Sequence, residues 1–342
     1  TGKLIYAYVS YTLLSLVYTA INVPYCAMIN NISNDSRERV SLQSWRFALS
    51  TLGGLIVSLT ALPLVAWLGQ GNVQNGYFYT MIVMGCLSII LFFICFGLTK
   101  ERYTTDIAVN NQSSILDDLK TLLANKDWRI LFALNVVNLI AVLFKGGTTL
   151  YYVNNIMGRA DLGSLLLTTT LASGVLGAML SPFIFKNIDK VKGFKISMAI
   201  EAALLIGMYF VPAGNVAAIF ALVIIINIIQ LAATPLQWSM LSDIIDAEEK
   251  RSGKKLSGIV FSTNLFAIKL GIAIGGALVG YMLAWGDYVG GAAQQTDSAL
   301  QMIALLFTVF PGVLVALLIV IMSKYSLDDK RLSRLAQDDL PA

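Results

Sequence analysis

Nine apolar runs, each long enough to cross a bilayer as a helix, order the chain: 4–28, 47–68, 77–98, 130–153, 164–185, 195–212, 215–240, 258–284 and 301–323. The polar connections between them are short, except for 99–128. Within that stretch, apolar positions at helical spacing follow Ser114, predicting a short interfacial helix or a plain amphipathic linker. Within the runs, polar residues recur on single faces. Tyr11, Ser15, Tyr18 and Asn22 fall at i, i+4, i+7 and i+11, and Pro24 frees a carbonyl one turn earlier, near Ala20. Asn138, Lys145, Thr149 and Tyr152 share a face, with Asn135 adjacent. Asn227, Gln230, Thr234 and Gln237 share another beside Trp238, and Ser262 and Lys269 lie on a third, with Asn264 on a neighbouring flank.

Lys145 and Lys269 change the picture most. A cation at membrane depth costs roughly 2.5–3.5 kcal/mol on insertion scales, so it faces a partner or a hydrated path. Together the polar faces predict a cavity lined by amides, hydroxyls and ammonium groups. Such a lining suits sugars, whose hydroxyls need donors and acceptors and whose C–H faces pack on aromatic rings. Ordinary helix–helix hydrogen bonds are the plain alternative for each stripe, and snorkelling to an interface is the alternative for Lys145.

Composition agrees with the runs. The chain has 342 residues, 57% hydrophobic and 13% charged, with mean hydropathy +0.73; soluble domains carry about 25% charged residues. Basic residues alternate between connections: 29–46 carries Arg37, Arg39 and Arg46, whereas 69–76 carries none, and the alternation continues to Lys324, Lys330, Arg331 and Arg334 in the tail. The positive-inside rule then expects a cytoplasmic C-terminus and residue 1 outside. The chain opens Thr1-Gly2-Lys3, without methionine or a signal peptide, so the expectation is nine helices of twelve with the first three absent. The expected organisation is the rest of an N-terminal bundle at 1–98, a middle loop at 99–128 and a six-helix C-terminal bundle with its tail at 129–342.

Cys26, Cys86 and Cys95 lie in apolar runs without CxxC spacing, and histidine is absent, so no metal site or cofactor is expected. No G-x-S-x-G and no paired carboxylates at membrane depth supply a nucleophile with its base, which argues against an enzyme. The basic residues are dispersed over loops, which argues against a nucleic-acid partner. Membrane lipid and a small solute are the expected partners, with the chain expected as a monomer. The connections hold a charge constellation: Asp35, Arg37, Glu38 and Arg39 follow the first run, and Asp243, Asp246, Glu248, Glu249, Lys250 and Arg251 follow the seventh. Two bundles that part and meet could latch through such charges, or these could be solvated loop charges.

At these residues the chain resembles the glycoside–pentoside–hexuronide:cation symporters, the melibiose-permease branch of the major facilitator superfamily. Tyr18-Thr19-Ala-Ile-Asn22-Val-Pro24-Tyr25 resembles that family's fourth helix, and Asp35-Ser-Arg37-Glu38-Arg39 with Trp45-Arg46-Phe47 resembles the entry to its fifth. Lys145-Gly146-Gly147 with Tyr151-Tyr152 resembles the seventh helix, Asp243-Ile-Ile-Asp246 the end of the tenth, and Lys269-Leu-Gly271 through Gly280-Tyr281 the eleventh. The resemblance implies an all-α membrane protein of major facilitator type in the bacterial inner membrane, importing a sugar with H+ or Na+ by alternating access. It implies substrate contacts at Tyr18, Asn22, Arg46 and Lys269, cation coupling at Asn22, Thr19 and Lys269, and gating charges at Asp35, Arg37, Arg39, Asp243 and Asp246. The polar stripes add Lys145, Tyr152, Gln230, Thr234 and Asn264 to the expected substrate contacts. Asn22 stands where sodium-using relatives carry aspartate, and Cys26 where they carry tryptophan, which turns the expectation from a Na+ site at Thr19 and Asn22 toward H+. Arg46, Lys145 and Lys269 suggest an acidic sugar. A lysolipid carrier of the same superfamily and a non-transporting sugar sensor are the rival expectations.

Overall fold

The computed structural model describes residues 2–103, 115–253, 256–292 and 294–337 and is all-helical within them. The long helices are α1 (Gly2–Ala27), α3 (Ser36–Gly69), α4 (Val73–Leu98), α6 (Lys126–Tyr151), α7 (Gly163–Ile184), α8 (Lys190–Met208), α9 (Val216–Ser252) and α10 (Ser257–Trp285). Between and after them lie the short α2 (Ile29–Ile32), α5 (Ile115–Ala124), α11 (Asp297–Phe307), α12 (Val309–Met322) and α13 (Asp329–Gln337). Most of the long helices open on a polar cap. Asp35 accepts from the Arg37 amide at 2.7 Å, Asn72 from Asn75, Asn125 from Trp128, Asp189 from Lys192 and Asn215 from Ala218. These caps satisfy amides that have no partner inside the helix.

Eight described helical segments are long and apolar enough to cross a membrane, against the nine expected. The run 195–212 is the difference. It forms α8, which has only 19 residues and carries Lys190, Lys192, Lys195 and Glu201. The last run also differs, because it is broken rather than continuous. Thr308 sits at φ −124°, ψ −73° between α11 and α12, where Pro311 has no amide to return to Phe307. The amphipathic helix expected in the middle loop is α5; its expected cap, Ser114, lies outside the described residues.

In lipid, helices gain by approaching closely rather than by hiding apolar surface from water, so small residues mark the contacts. α10 lies on α6 at Gly271 and Gly275, where added Cβ atoms would stand 2.7 and 2.8 Å from Leu139 and Leu143 Cβ. α7 lies on α9 at Gly177, where a Cβ would come within 2.3 Å of the Ile228 carbonyl oxygen. Gly276 and Gly280 of the same small-residue pattern have no neighbour within 4 Å. α3 packs against α7 and α9, and α1 against α10, so these two helices meet the later bundle along two seams, with α4 packed on α3.

Gly177→Ala is expected to cost about 1–3 kcal/mol through overpacking, whereas Gly276→Ala should stay within about 0.5 kcal/mol of the parent. Thermal unfolding of the purified protein in detergent compares the two.

Candidate functional site

Polar residues gather in two zones, one at the charged ends of the helices and one at membrane depth. At the charged end, Arg39 of α3 is 1% exposed. It reaches Asp246 of α9 with both terminal nitrogens, at 2.5 and 3.3 Å, and donates from Nε to the Ser33 carbonyl at 2.8 Å. Beside it Lys190 of α8 pairs with Asp243 of α9, both nearly sealed from solvent, and also meets Ser36 Oγ. Ser36 donates to Asp243 at 2.6 Å. Arg37 donates to the Lys186 carbonyl and, at 2.9 Å, to Asp329 of the tail. Ser239 donates to the Ser36 carbonyl at 3.2 Å, and Ser242 donates to Asn30 at 2.9 Å. Burial lifts the Asp329 carboxyl above its ordinary value, with Lys190 pulling it back, so it takes a proton at higher pH than a free carboxyl. Asp35 has a different job: it caps α3 and holds the backbone from which Arg37 and Arg39 project.

At membrane depth the expected residues fall into separate groups. On α10, Lys269 is exposed and donates to Thr19 Oγ1 at 2.6 Å and to the Ser15 carbonyl at 3.2 Å, with Tyr18's ring 6.0 Å away. Asn22 turns back onto its own helix and donates to the Tyr18 carbonyl at 2.8 Å. On α3, Arg46 lies over Trp238 at 4.3 Å and Phe47 at 4.7 Å, and one of its nitrogens is 3.2 Å from Cys26 Sγ. Asn135, Asn264 and Gln237 form an amide chain across α6, α10 and α9, with contacts of 2.7 and 2.6 Å. Lys145 is 8% exposed and donates to Asn227 at 3.3 Å and Gln230 at 3.2 Å. Thr234 donates to the Gln230 carbonyl.

The three cations expected to line one cavity therefore stand in three places, each with its own partners. Tyr152 stands apart from all of them, stacked on Phe307 at 4.4 Å in a π-helical turn, Tyr152–Ile156. Several contributors escape sequence reasoning. Lys190 is one of four lysines that signal topology by their number, while nothing local shows which one turns inward. Asp329 lies in a polar tail, and Asn30 sits in a polar stretch whose contact with Ser242 of α9 only the fold reveals. Glu201 was detectable as a lone acid inside an apolar run. It is 1% exposed, and its Oε2 has no hydrogen-bond partner. Gln43 is fully buried, with neither amide atom paired.

Residues 1–329 match the family model described as MFS/sugar transport protein. Over 336 residues the chain is 42% identical to YagG of Escherichia coli (strain K12), whose name carries a provisional assignment as a glycoside/cation symporter; the match covers 98% of this chain and 73% of that protein. It is 37% identical to the inner membrane symporter YicJ of the same organism, over 95% of this chain and 70% of YicJ. It is 30% identical to the isoprimeverose transporter of Lactiplantibacillus pentosus, over 86% of this chain and 62% of that protein.

Asp243→Asn would leave the buried Lys190 ammonium with only the longer carboxylate contact, to Asp329 at 3.9 Å, a loss of about 3–5 kcal/mol. Asp329→Asn removes a pair whose arginine is half exposed, at a cost of under about 1 kcal/mol. With Cys86 and Cys95 replaced by alanine, the labelling rate of buried Cys26 by a water-soluble maleimide should rise strongly in the first variant and little in the second.

Proposed function

The chain belongs to the MFS/sugar transport protein family, a family of membrane transporters and not of enzymes, and we propose that it imports a glycoside together with a proton by alternating access, seen here with its charged end shut. The observation that carries this reading is the interlocked set Arg39–Asp246, Lys190–Asp243–Ser36 and Arg37–Asp329, which joins α3 to α8, α9 and the tail. Of these contacts, Arg39–Asp246, Ser36–Asp243 and Arg37–Asp329 cross from α3 to the later bundle and hold only while the halves touch. When the halves part, water hydrates each charge and the pairs no longer hold the seam closed.

In this reading the charged end is cytoplasmic, because it gathers the basic connections, and α8 is the ninth crossing in this chain. At 1.5 Å per residue its 19 residues span roughly 28 Å, about the hydrocarbon thickness. Its lysines are tolerable because Lys190 is paired with Asp243 and Lys192 and Lys195 lie at its opening end.

The sugar site is assigned to the seam behind the latch. Arg46 lies seven residues beyond Arg39 on the same face of α3, held against Trp238, so a pyranose face can pack on the indole while the guanidinium meets hydroxyls. Gln230, Thr234 and Gln237 follow on α9, with Asn264 of α10 bonded through Asn135. Tyr18, Asn22, Thr19 and Lys269 form the opposite wall. Because the three cations do not converge on one point, the site favours a glycoside with several hydroxyls over a ligand read chiefly by a carboxylate. A proton fits better than sodium. The Lys269 ammonium already occupies the oxygens of Thr19 and Ser15, where a metal cation would have to displace a like charge.

Uptake by the full-length protein in membrane vesicles, with pH and sodium gradients imposed separately, tests this reading. Isoprimeverose, a glucuronide and a neutral galactoside are the probes. Accumulation of at least one neutral glycoside under the pH gradient alone is expected; accumulation driven only by sodium, or of none of the three, rejects the reading. Lys269→Ala should abolish accumulation, and full accumulation would remove this lysine from the mechanism.

A further inference from the structure

We propose that Glu201 of α8 is the proton-carrying group of the cycle and that Lys145 of α6 reads its charge, an inference that rests on the sugar–proton reading above. Glu201 lies midway along α8, 1% exposed, with Oε2 free of any hydrogen-bond partner. A carboxylate enclosed in this way, away from water, is costly enough that such groups neutralise or find a cation. Among the described residues, Lys145 is the one other buried charge that lies away from the charged ends of the helices. Even so, no ion pair within 4.0 Å joins the two, and the ammonium is spent on the Asn227 and Gln230 amide oxygens. The arrangement is that of a neutral Glu201.

The surroundings leave these two groups to each other. α9 and α12 pack on α8. α12 has no charged residue, and the charges of α9 begin at Asp243, far along the helix from Asn227. The remaining charges of α8 are Lys190, Lys192 and Lys195, at its opening end, with Lys190 already paired to Asp243.

Two states follow. When a proton from the outer side adds to a Glu201 carboxylate oxygen, a neutral acid forms. Lys145 keeps its own protons and donates to Asn227 and Gln230, fixing the Gln230 amide on the face it shares with Thr234 and Gln237. When that proton leaves to the inner side, the carboxylate draws the ammonium across, Gln230 loses its fixed position, and sugar affinity falls. One proton therefore arms one amide of the sugar site. Thermodynamic reciprocity then requires bound sugar to favour the protonated acid.

Infrared difference spectra of the full-length protein through a pH titration test the carboxyl directly, with no sugar present. A carboxylic-acid carbonyl band that titrates in the parent, vanishes in Glu201→Gln and shifts in Glu201→Asp is expected; an unaltered band in either folded variant overturns the assignment. Vesicle transport supplies the second arm, with whichever glycoside the uptake panel identifies. One proton per sugar supplies a factor of about 100 across a two-unit pH gradient. Glu201→Gln should bring the accumulation ratio to about 1, with sugar exchange persisting within about tenfold of the parent. Retained pH-driven accumulation overturns the role of Glu201. A parent that moves none of the panel sugars, while the Glu201 band still titrates, refutes the sugar reading and leaves the proton site standing.

Discussion

The charges of Lys190 and Asp243 survive burial only because each has the other. Separated in a low-dielectric seam, either ion would carry a penalty of several kcal/mol; together, with Ser36 donating to the same carboxylate, they are tolerable. That pair joins α8 to α9; across the junction between α3 and α9 run the Arg39–Asp246 ion pair and the Ser36–Asp243 hydrogen bond, and in the proposed alternating access these are the contacts that part. Arg39 is sealed at 1% exposure with both terminal nitrogens on Asp246. In that proposed cycle, a partial separation would strand the Arg39 guanidinium from Asp246 without hydrating it, which disfavours intermediate gaps.

Much of the fold is legible in the sequence because a bilayer imposes one rule on every segment. A run of spanning length must satisfy its backbone internally, which means a helix. The apolar runs therefore mark the helices, and Asp, Asn and Thr caps mark where they start. What stays hidden is tertiary. The break at Thr308 depends on a single missing amide within an otherwise apolar run. α8 falls short of a spanning segment by composition, and only its position between α9 and α12 gives its charges somewhere to go.

The candidate site divides along the same line. Arg39 and Asp246 are readable as opposed charges, but the choice of partner spans 207 residues of chain, and Lys190 and Asp329 join the set only through folding. Helical periodicity places Lys145 and Lys269 correctly on polar faces. It cannot say that those faces look in different directions, one into the later bundle toward Asn227 and Gln230, the other across a seam toward Thr19. The glycines teach the same lesson. Gly271 and Gly276 belong to one small-residue pattern, yet only the first touches a neighbour, because a pattern fixes the face and the fold fixes what lies against it.

Two helices carry both the latch and the membrane-depth site, which gives coupling between them a mechanical route. On α3, Arg39, Gln43 and Arg46 occupy one face within seven residues. On α9, Asn227, Gln230 and Gln237 lie along the same helix as Asp243 and Asp246. Pro235 stands between Gln230 and Gln237, and Gln237 is tied to Asn135 only two residues later. A helix lacking one internal hydrogen bond at Pro235 can bend there at little cost. A change in what Gln230 holds is then passed to the ends bearing Asp243 and Asp246 as a small rotation. In the proposed alternating access, with Asp246 paired to Arg39 and Asp243 bonded to Ser36 across the seam, such a rotation bears directly on the contacts that hold the charged end closed.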